Sequence, residues 1–328
     1  MLIDSFGRVH DSCRISVTDR CNIRCFYCMP NENIQFLPKS ELLTFEEITR
    51  FARVLAELGV TKIRLTGGEP LVRKDLHRLI EMLREIPEIV DLALTTNGIL
   101  LDDQARSLKD AGLMRLNVSL DSLRPEVFRQ ISRRDGLEKV LRGIERAKQV
   151  GFKNIRINAV SIAGLTELDV VPLATFCRQH GHHLRFIEFM PLDAQQEWTN
   201  EQVLNGRRVR EQIASVFGNL KEVERDDPSQ PAVDFAYADG QGRVGFINPV
   251  SEPFCHACNR LRITAEGQVR NCLFSTVEYD ARELLRSGAS DDDIKTLISD
   301  CVAAKAAGHG INDPKFVRPQ KAMYQIGG

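Results

Sequence analysis

Cys21, Cys25 and Cys28 fall in one run, Cys21-Asn22-Ile23-Arg24-Cys25-Phe26-Tyr27-Cys28, whose spacing folds three thiolates round one metal centre and supplies no fourth. Iron–sulfur cubanes ordinarily take four cysteines, so a three-cysteine site leaves one iron free to bind something that reacts. Structural zinc prefers a closed set, a C-x2-C pair completed by distant Cys or His. A zinc knuckle, or three independent loop thiols, is therefore the alternative that spacing alone leaves open. Further along, Thr66-Gly67-Gly68-Glu69-Pro70 ends an apolar run with two glycines. Missing side chains there allow a backbone to approach a ligand closely.

A second group is Cys255-His256-Ala257-Cys258 with Cys272, again three thiols at ligand-like spacing. Read alone it also fits a zinc ribbon completed by His256. Beside a first iron–sulfur site it suggests a second cluster with one open iron. Asn259-Arg260-Leu261-Arg262 lies between these thiols, and strand alternation would turn Arg260 and Arg262 to one side. Arginine holds phosphate through a planar, always-charged fork, so several converging on one cavity suit a triphosphate. Arg14, Arg64, Arg156 and Arg185 are further candidates on predicted strands, although any one of them could equally be a solvated surface residue or an ion-pair partner.

Chemistry of this kind needs a frame. Apolar, β-rich runs recur at about 13–18, 61–66, 90–95, 114–119, 154–160 and 184–189, and most are followed by helical periodicity. Thr44-Phe45-Glu46-Glu47 is a capping box, followed by a stripe of Phe51, Val54, Leu55 and Leu58 that Gly59 can close. Other helices are expected near 75–86, 102–111, 137–150 and 167–180. Repeated strand–helix units imply a parallel sheet with right-handed crossovers, open or barrel-like. The charged, proline-containing stretch at 221–231 reads as a linker or surface loop. It divides the chain into 1–220 and 221–328, with short strands near 243–248, 260–264 and 268–273 and helices near 279–287 and 291–307 in the second part.

The chain has 328 residues, 43% hydrophobic and 27% charged, enough for one large domain or two smaller ones. Its 44 Lys and Arg nearly balance 45 Asp and Glu, which gives no bulk electrostatic case for a nucleic-acid polymer or a membrane partner. The segment 1–12 lacks an apolar core of signal-peptide length, and no apolar run reaches spanning length, so the expected location is cytoplasmic. Nine cysteines, six of them at ligand spacing, fit a reducing compartment and metal binding. Cys13, Cys177 and Cys301 read as small buried side chains.

The first triad with Gly67-Gly68-Glu69-Pro70 resembles the radical S-adenosylmethionine (SAM) enzymes. Adding the second triad, Arg260-Leu261-Arg262, Asn312-Asp313-Pro314 and the terminal Gly327-Gly328, almost the whole chain resembles the GTP 3′,8-cyclase family of molybdenum-cofactor biosynthesis. The resemblance implies an α/β fold, a partial (β/α)6 barrel with chemistry at the carboxyl ends of its strands and a C-terminal extension carrying a second cluster. By position it implies that Cys21, Cys25 and Cys28 hold the 4Fe-4S cluster that binds SAM, and that Cys255, Cys258 and Cys272 hold an auxiliary 4Fe-4S cluster engaging guanine. SAM would meet Tyr27, Gly68, Ser119 and Met190. GTP would meet Arg14, Arg64, Thr95, Arg156, Arg260, Leu261 and Arg262, with Arg185 a weaker candidate.

The same resemblance implies the reaction itself: reductive SAM cleavage, removal of hydrogen from C3′ of GTP, and closure onto C8. It implies no side-chain general base for these first steps, an unnamed protein reductant, homodimerisation as in relatives, and handover to a downstream cyclic pyranopterin monophosphate synthase. A lysine is usual in the family where this chain has Arg156, so the contact geometry there is expected to differ. Gly327-Gly328 is either a frayed end or, as in the family, a tail that reaches the active site. Rival readings are a peptide-maturing radical SAM enzyme with an auxiliary cluster, or a non-enzymatic metal-binding or redox-sensing module.

Overall fold

A computed structural model describes residues 1–29, 34–192 and 198–327. Six parallel strands form its centre: β1 (Ser12–Ser16), β2 (Lys62–Thr66), β3 (Asp91–Thr96), β4 (Arg115–Ser119), β5 (Ile155–Ser161) and β6 (His183–Glu188). Each falls on one of the expected apolar, β-rich runs, and helices lie between consecutive strands in the chain. The helix Phe45–Glu57 begins at the anticipated capping box, with Thr44 N donating to Glu47 Oε2 at 2.7 Å and Glu47 N to Thr44 Oγ1 at 3.1 Å. Its Ile48, Phe51, Val54 and Leu55 enter the main core with Cys13 and Ile15 of β1. Emptying the Phe51 position would cost about 3–5 kcal/mol.

The second part of the chain extends the same sheet at both edges. Its strands are β7 (Lys221–Glu222), β8 (Val233–Ala236), β9 (Arg243–Ile247), β10 (Arg260–Ile263), β11 (Gln268–Arg270) and β12 (Tyr279–Asp280). β10 lies parallel to β1 and β9 parallel to β6, so eight parallel strands run β10-β1-β2-β3-β4-β5-β6-β9. The outer pairs are antiparallel, and β12 and β7 end the sheet without meeting. This is a curved, incompletely closed barrel.

Helices Pro125–Ser132 and Gly206–Phe217 were not anticipated, and the helix expected over 167–180 opens as a 3-10 turn before Val170–His180. The stretch at 221–231 starts in β7 and continues as a largely exposed loop, as expected. It folds back so that Lys62 Nζ meets Asp227 Oδ2 at 2.8 Å, and Asp227, Ser229, Gln230 and Pro231 wall the barrel interior. Lys221, Glu222, Glu224 and Asp226 remain exposed, and of the charged residues here only Asp227 lines the cavity.

Candidate active site

Alternation along each parallel strand decides which side chains meet. In β1, Cys13 and Ile15 turn to the helices, whereas Ser12 and Arg14 turn inward. Repeated across β1 to β6, β9 and β10, this leaves a cavity of about 600 Å³ inside the barrel. Register then stacks charge on its wall. Arg262, Arg14, Arg64, Ala93 and Arg115 are successive partners across β10, β1, β2, β3 and β4, and Arg156 and Arg185 follow on β5 and β6.

These cations are poorly matched by the protein itself. Arg115 pairs with Asp91, and Arg185 lies 3.7 Å from Asp234. Among the described residues no carboxylate forms an ion pair with Arg14, Arg64, Arg156 or Arg262. Burial, then the charges of Arg262 and Arg260, hold the Arg14 guanidinium well below its ordinary value, and burial with Arg14, Arg115 and Arg156 does the same to Arg64. Burial and Arg185 bring Arg156 down to about 9, and burial and Arg260 bring Arg262 down to about 10. A wall that disfavours its own positive charge is complementary to a polyanion.

The first triad follows β1, at the carboxyl end of the barrel. Gly67 and Gly68 pack against its backbone: a Cβ on Gly68 would lie 2.5 Å from the Arg20 carbonyl oxygen, and one on Gly67 2.5 Å from that of Thr18. The missing side chains thus let the chain that leads into the first triad pack closely here, while both glycines also line the cavity. Gly68 N donates to Thr18 O and Glu69 N to Arg20 O, each at 2.8 Å. Asn97 Nδ2 reaches Asn22 Oδ1 at 2.8 Å and Cys21 Sγ at 3.6 Å. Tyr27 Oη donates to Asp121 Oδ2 at 2.7 Å, and its ring meets Phe26 and Phe189 edge-on. Burial, then the nearby Glu69 carboxyl, pushes the Cys21 thiol up to about 11, and burial, then Asp121, raises Cys25 further. Thiolates in such a place need a cation to hold their charge.

The second triad sits at the opposite end. Cys258 precedes the amino end of β10, and Cys272 follows β11, which runs back antiparallel, so both arrive at the same end of the barrel. Burial alone would raise the Cys258 thiol, but Arg260 and Lys305 outweigh it and bring it down to about 6. Arg260 Nη2 lies 3.1 Å from its sulfur. His256 is exposed and lies off the cavity wall. Among the described residues no three Cys, His, Asp or Glu groups converge on one metal-ion position as closed zinc requires. Cysteines of a cubane ligate separate irons and need no such point. All six thiols border the one cavity, a donor set and placement that fit two clusters facing each other.

Tyr27, Gly68, Ser119 and Met190 all line the cavity, as do Arg14, Arg64, Thr95, Arg156, Arg185, Arg260 and Arg262. Leu261 is the exception: its side chain is fully buried among the core residues beside Cys13, because a strand that turns its two neighbours inward turns it outward. Any contact it makes with a ligand is through its main chain. Gly327 reaches the barrel, where Arg262 Nη1 donates to its carbonyl at 2.6 Å. Gly328 lies outside the described residues. Sequence reasoning missed Glu69, Asn97 and Asp121, although each adjoins a strand end already singled out, and missed Lys305 and Lys62, for which no spacing signal exists.

Residues 15–177 match the family model of the radical SAM superfamily, and residues 182–311 the model called Molybdenum Cofactor Synthesis C. Over its whole length the chain is 50% identical to the GTP 3′,8-cyclase of Rhodopirellula baltica, covering 92% of that protein. It is 43% identical to that of Streptomyces coelicolor, covering 96%, and 44% to that of Mycolicibacterium smegmatis, covering 92%, again along its whole length. Among solved structures, Streptococcus suis SuiB bound to S-adenosylmethionine aligns over 96% of this chain and 76% of its own, with a TM-score of 0.62 at 16% identity. That likeness is one of fold.

Proposed function

The chain belongs to the GTP 3′,8-cyclase family of radical SAM enzymes, and from that premise we propose how its barrel holds GTP between two iron–sulfur clusters. It is a SAM-dependent lyase that converts GTP to (8S)-3′,8-cyclo-7,8-dihydroguanosine 5′-triphosphate, the first step of molybdenum cofactor biosynthesis. In the proposed arrangement Cys21, Cys25 and Cys28 hold the cluster that binds SAM. Cys255, Cys258 and Cys272 hold a second 4Fe-4S cluster that engages guanine. When bound, the first cluster and SAM supply the one-electron chemistry that takes hydrogen from C3′ so that C3′ can bond to C8.

The chain's own residues position and shield. Tyr27, Gly68, Ser119 and Met190 would cradle SAM at the carboxyl end. Arg14, Arg64, Arg156, Arg260 and Arg262, with Thr95 and the flanking Arg185, would hold the triphosphate and so set the ribose between the two ends, and misplacing it would present the wrong hydrogen. The observation that carries this reading is the in-register row Arg262, Arg14, Arg64 and Arg115 on the cavity wall between two open thiol triads. Guanidinium forks in such a row match the oxygens of a triphosphate. Gly327, whose carbonyl accepts from Arg262, would bring the tail to the edge of the chamber.

No helix among the described residues is long and apolar enough to cross a membrane. A cytoplasmic location, a division into 1–220 and 221–328, a homodimer, a protein reductant and handover to cyclic pyranopterin monophosphate synthase complete the proposal. Anaerobic incubation of reconstituted protein with SAM, a strong reductant and GTP tests it. Cyclic nucleotide should accumulate with 5′-deoxyadenosine, and GDP should bind more weakly than GTP. Deoxyadenosine formed without consumption of GTP would overturn it.

A further inference from the structure

Behind the second triad lies Lys305, 5% exposed, with every ammonium proton directed at an acceptor. Its Nζ lies 2.6 Å from the Asn271 carbonyl, 2.9 Å from the Arg260 carbonyl and 3.6 Å from Cys258 Sγ. An ammonium offers three N–H donors and no acceptor, so these three partners match the charged form. The partners belong to separate pieces of chain. Cys258 and Arg260 lead into β10, whereas Asn271 immediately precedes Cys272 beyond β11. Asn271 is itself held, its Nδ2 donating to the Cys301 carbonyl at 2.8 Å in the helix that leads to Lys305. On the other side Arg8 Nη1 donates to the Cys255 carbonyl at 2.8 Å and to that of Ala307 at 2.9 Å, and its Nη2 to that of Ala306 at 2.7 Å. The segment 305–307 is therefore the point at which all three cysteine-bearing pieces are tied together.

We propose that Lys305 is a positioning residue for the second triad: it fixes Cys272 beside Cys258 and sets an ammonium against the Cys258 sulfur. This rests on the reading that the triad holds a cluster. The cluster is then retained more tightly and reduced at a higher potential, because a donated hydrogen bond and a nearby cation favour the more negative reduced state. Removing the ammonium also leaves two buried carbonyls without a donor, which loosens the junction of the two arms.

Lys305→Met keeps the length and apolar stem of the side chain and removes its charge. In anaerobically reconstituted full chain, iron and sulfide content and potentiometric electron paramagnetic resonance read both clusters, with SAM cleavage as the control for an intact first site. The variant should release its second cluster to an iron chelator about 10- to 100-fold faster, with a midpoint shifted to lower potential, while the first cluster is unchanged. Lys305→Arg, which keeps the charge but loses the three-point contact, guards against a variant that fails to fold: it should release the second cluster faster than the parent with a smaller shift in midpoint. Parent protein with two clusters, and variants with parental release and midpoint, would overturn the inference alone. A parent holding one cluster would overturn the reading beneath it as well.

Discussion

Arg262 Nη1 and the carbonyl of Gly327 stand 2.6 Å apart, a contact that links β10, the strand between Cys258 and Cys272, to the tail beside β1 and β2. Gly327 has φ +83°, and a Cβ there would lie 2.8 Å from Thr66 Oγ1 and 2.9 Å from Ser16 Cβ. Residues 323–327 are packed against the barrel rather than trailing from it.

Gly327→Ala therefore carries both backbone strain of about 1–3 kcal/mol and a collision. The expected result is displacement of the tail with the barrel intact. Hydrogen exchange should accelerate over 323–327 while the melting temperature stays close to the parent's. Unchanged exchange in this segment would show that the tail tolerates a side chain.

Arg64 adjoins Arg14 in register and has no ion-pair partner among the described residues. Replacing a half-buried, unmatched cation with an apolar side chain of similar reach is expected to stabilise the ligand-free protein by up to about 1 kcal/mol. Arg64→Met should accordingly raise the midpoint of denaturation without nucleotide and weaken GTP binding at least tenfold. A loss of stability alongside unaltered affinity would mean that Arg64 serves the fold instead.

Cys21 and Cys272 lie at opposite ends of the cavity and should fail differently. Cys21→Ala is expected to abolish production of 5′-deoxyadenosine. Cys272→Ala should keep SAM cleavage but lower cyclisation by about a hundredfold, as loss of substrate placement does. Product analysis by mass spectrometry separates the two, and cyclisation at the parental rate in the second variant would refute a substrate role for that triad.

Glu69 gives the protein a calculable pH response. Burial pushes its carboxyl up to about 7 from 4.5, against the hydrogen bonds donated by Asn97 N, Thr96 Oγ1 and Leu71 N. As pH rises from 4.5 towards 7 the unfolded chain gives up this proton first, so the folded state binds more protons and stability falls across that window. In Glu69→Gln that part of the slope should vanish. The amide must also place an NH2 against one of these N–H or O–H donors, lowering stability at pH 5 by about 1–3 kcal/mol. Denaturant titrations of both proteins between pH 4.5 and 8 measure the two effects.

Much of this molecule is legible from residues near one another in the chain. The capping box at Thr44 and the six apolar, β-rich runs are local patterns, and each led to the expected element because hydrogen bonding and burial at that range depend on neighbours a few positions away. Tertiary structure alone decided what those elements do together. Pairing of β10 with β1 joined Arg262 to Arg14, reversal into β11 carried Cys272 back to Cys258, and folding of the loop after β7 brought Asp227, Ser229, Gln230 and Pro231 to the cavity. Lys305 and Glu69 took on their settings for the same reason: burial, and partners far along the chain, arise only when the sheet is assembled.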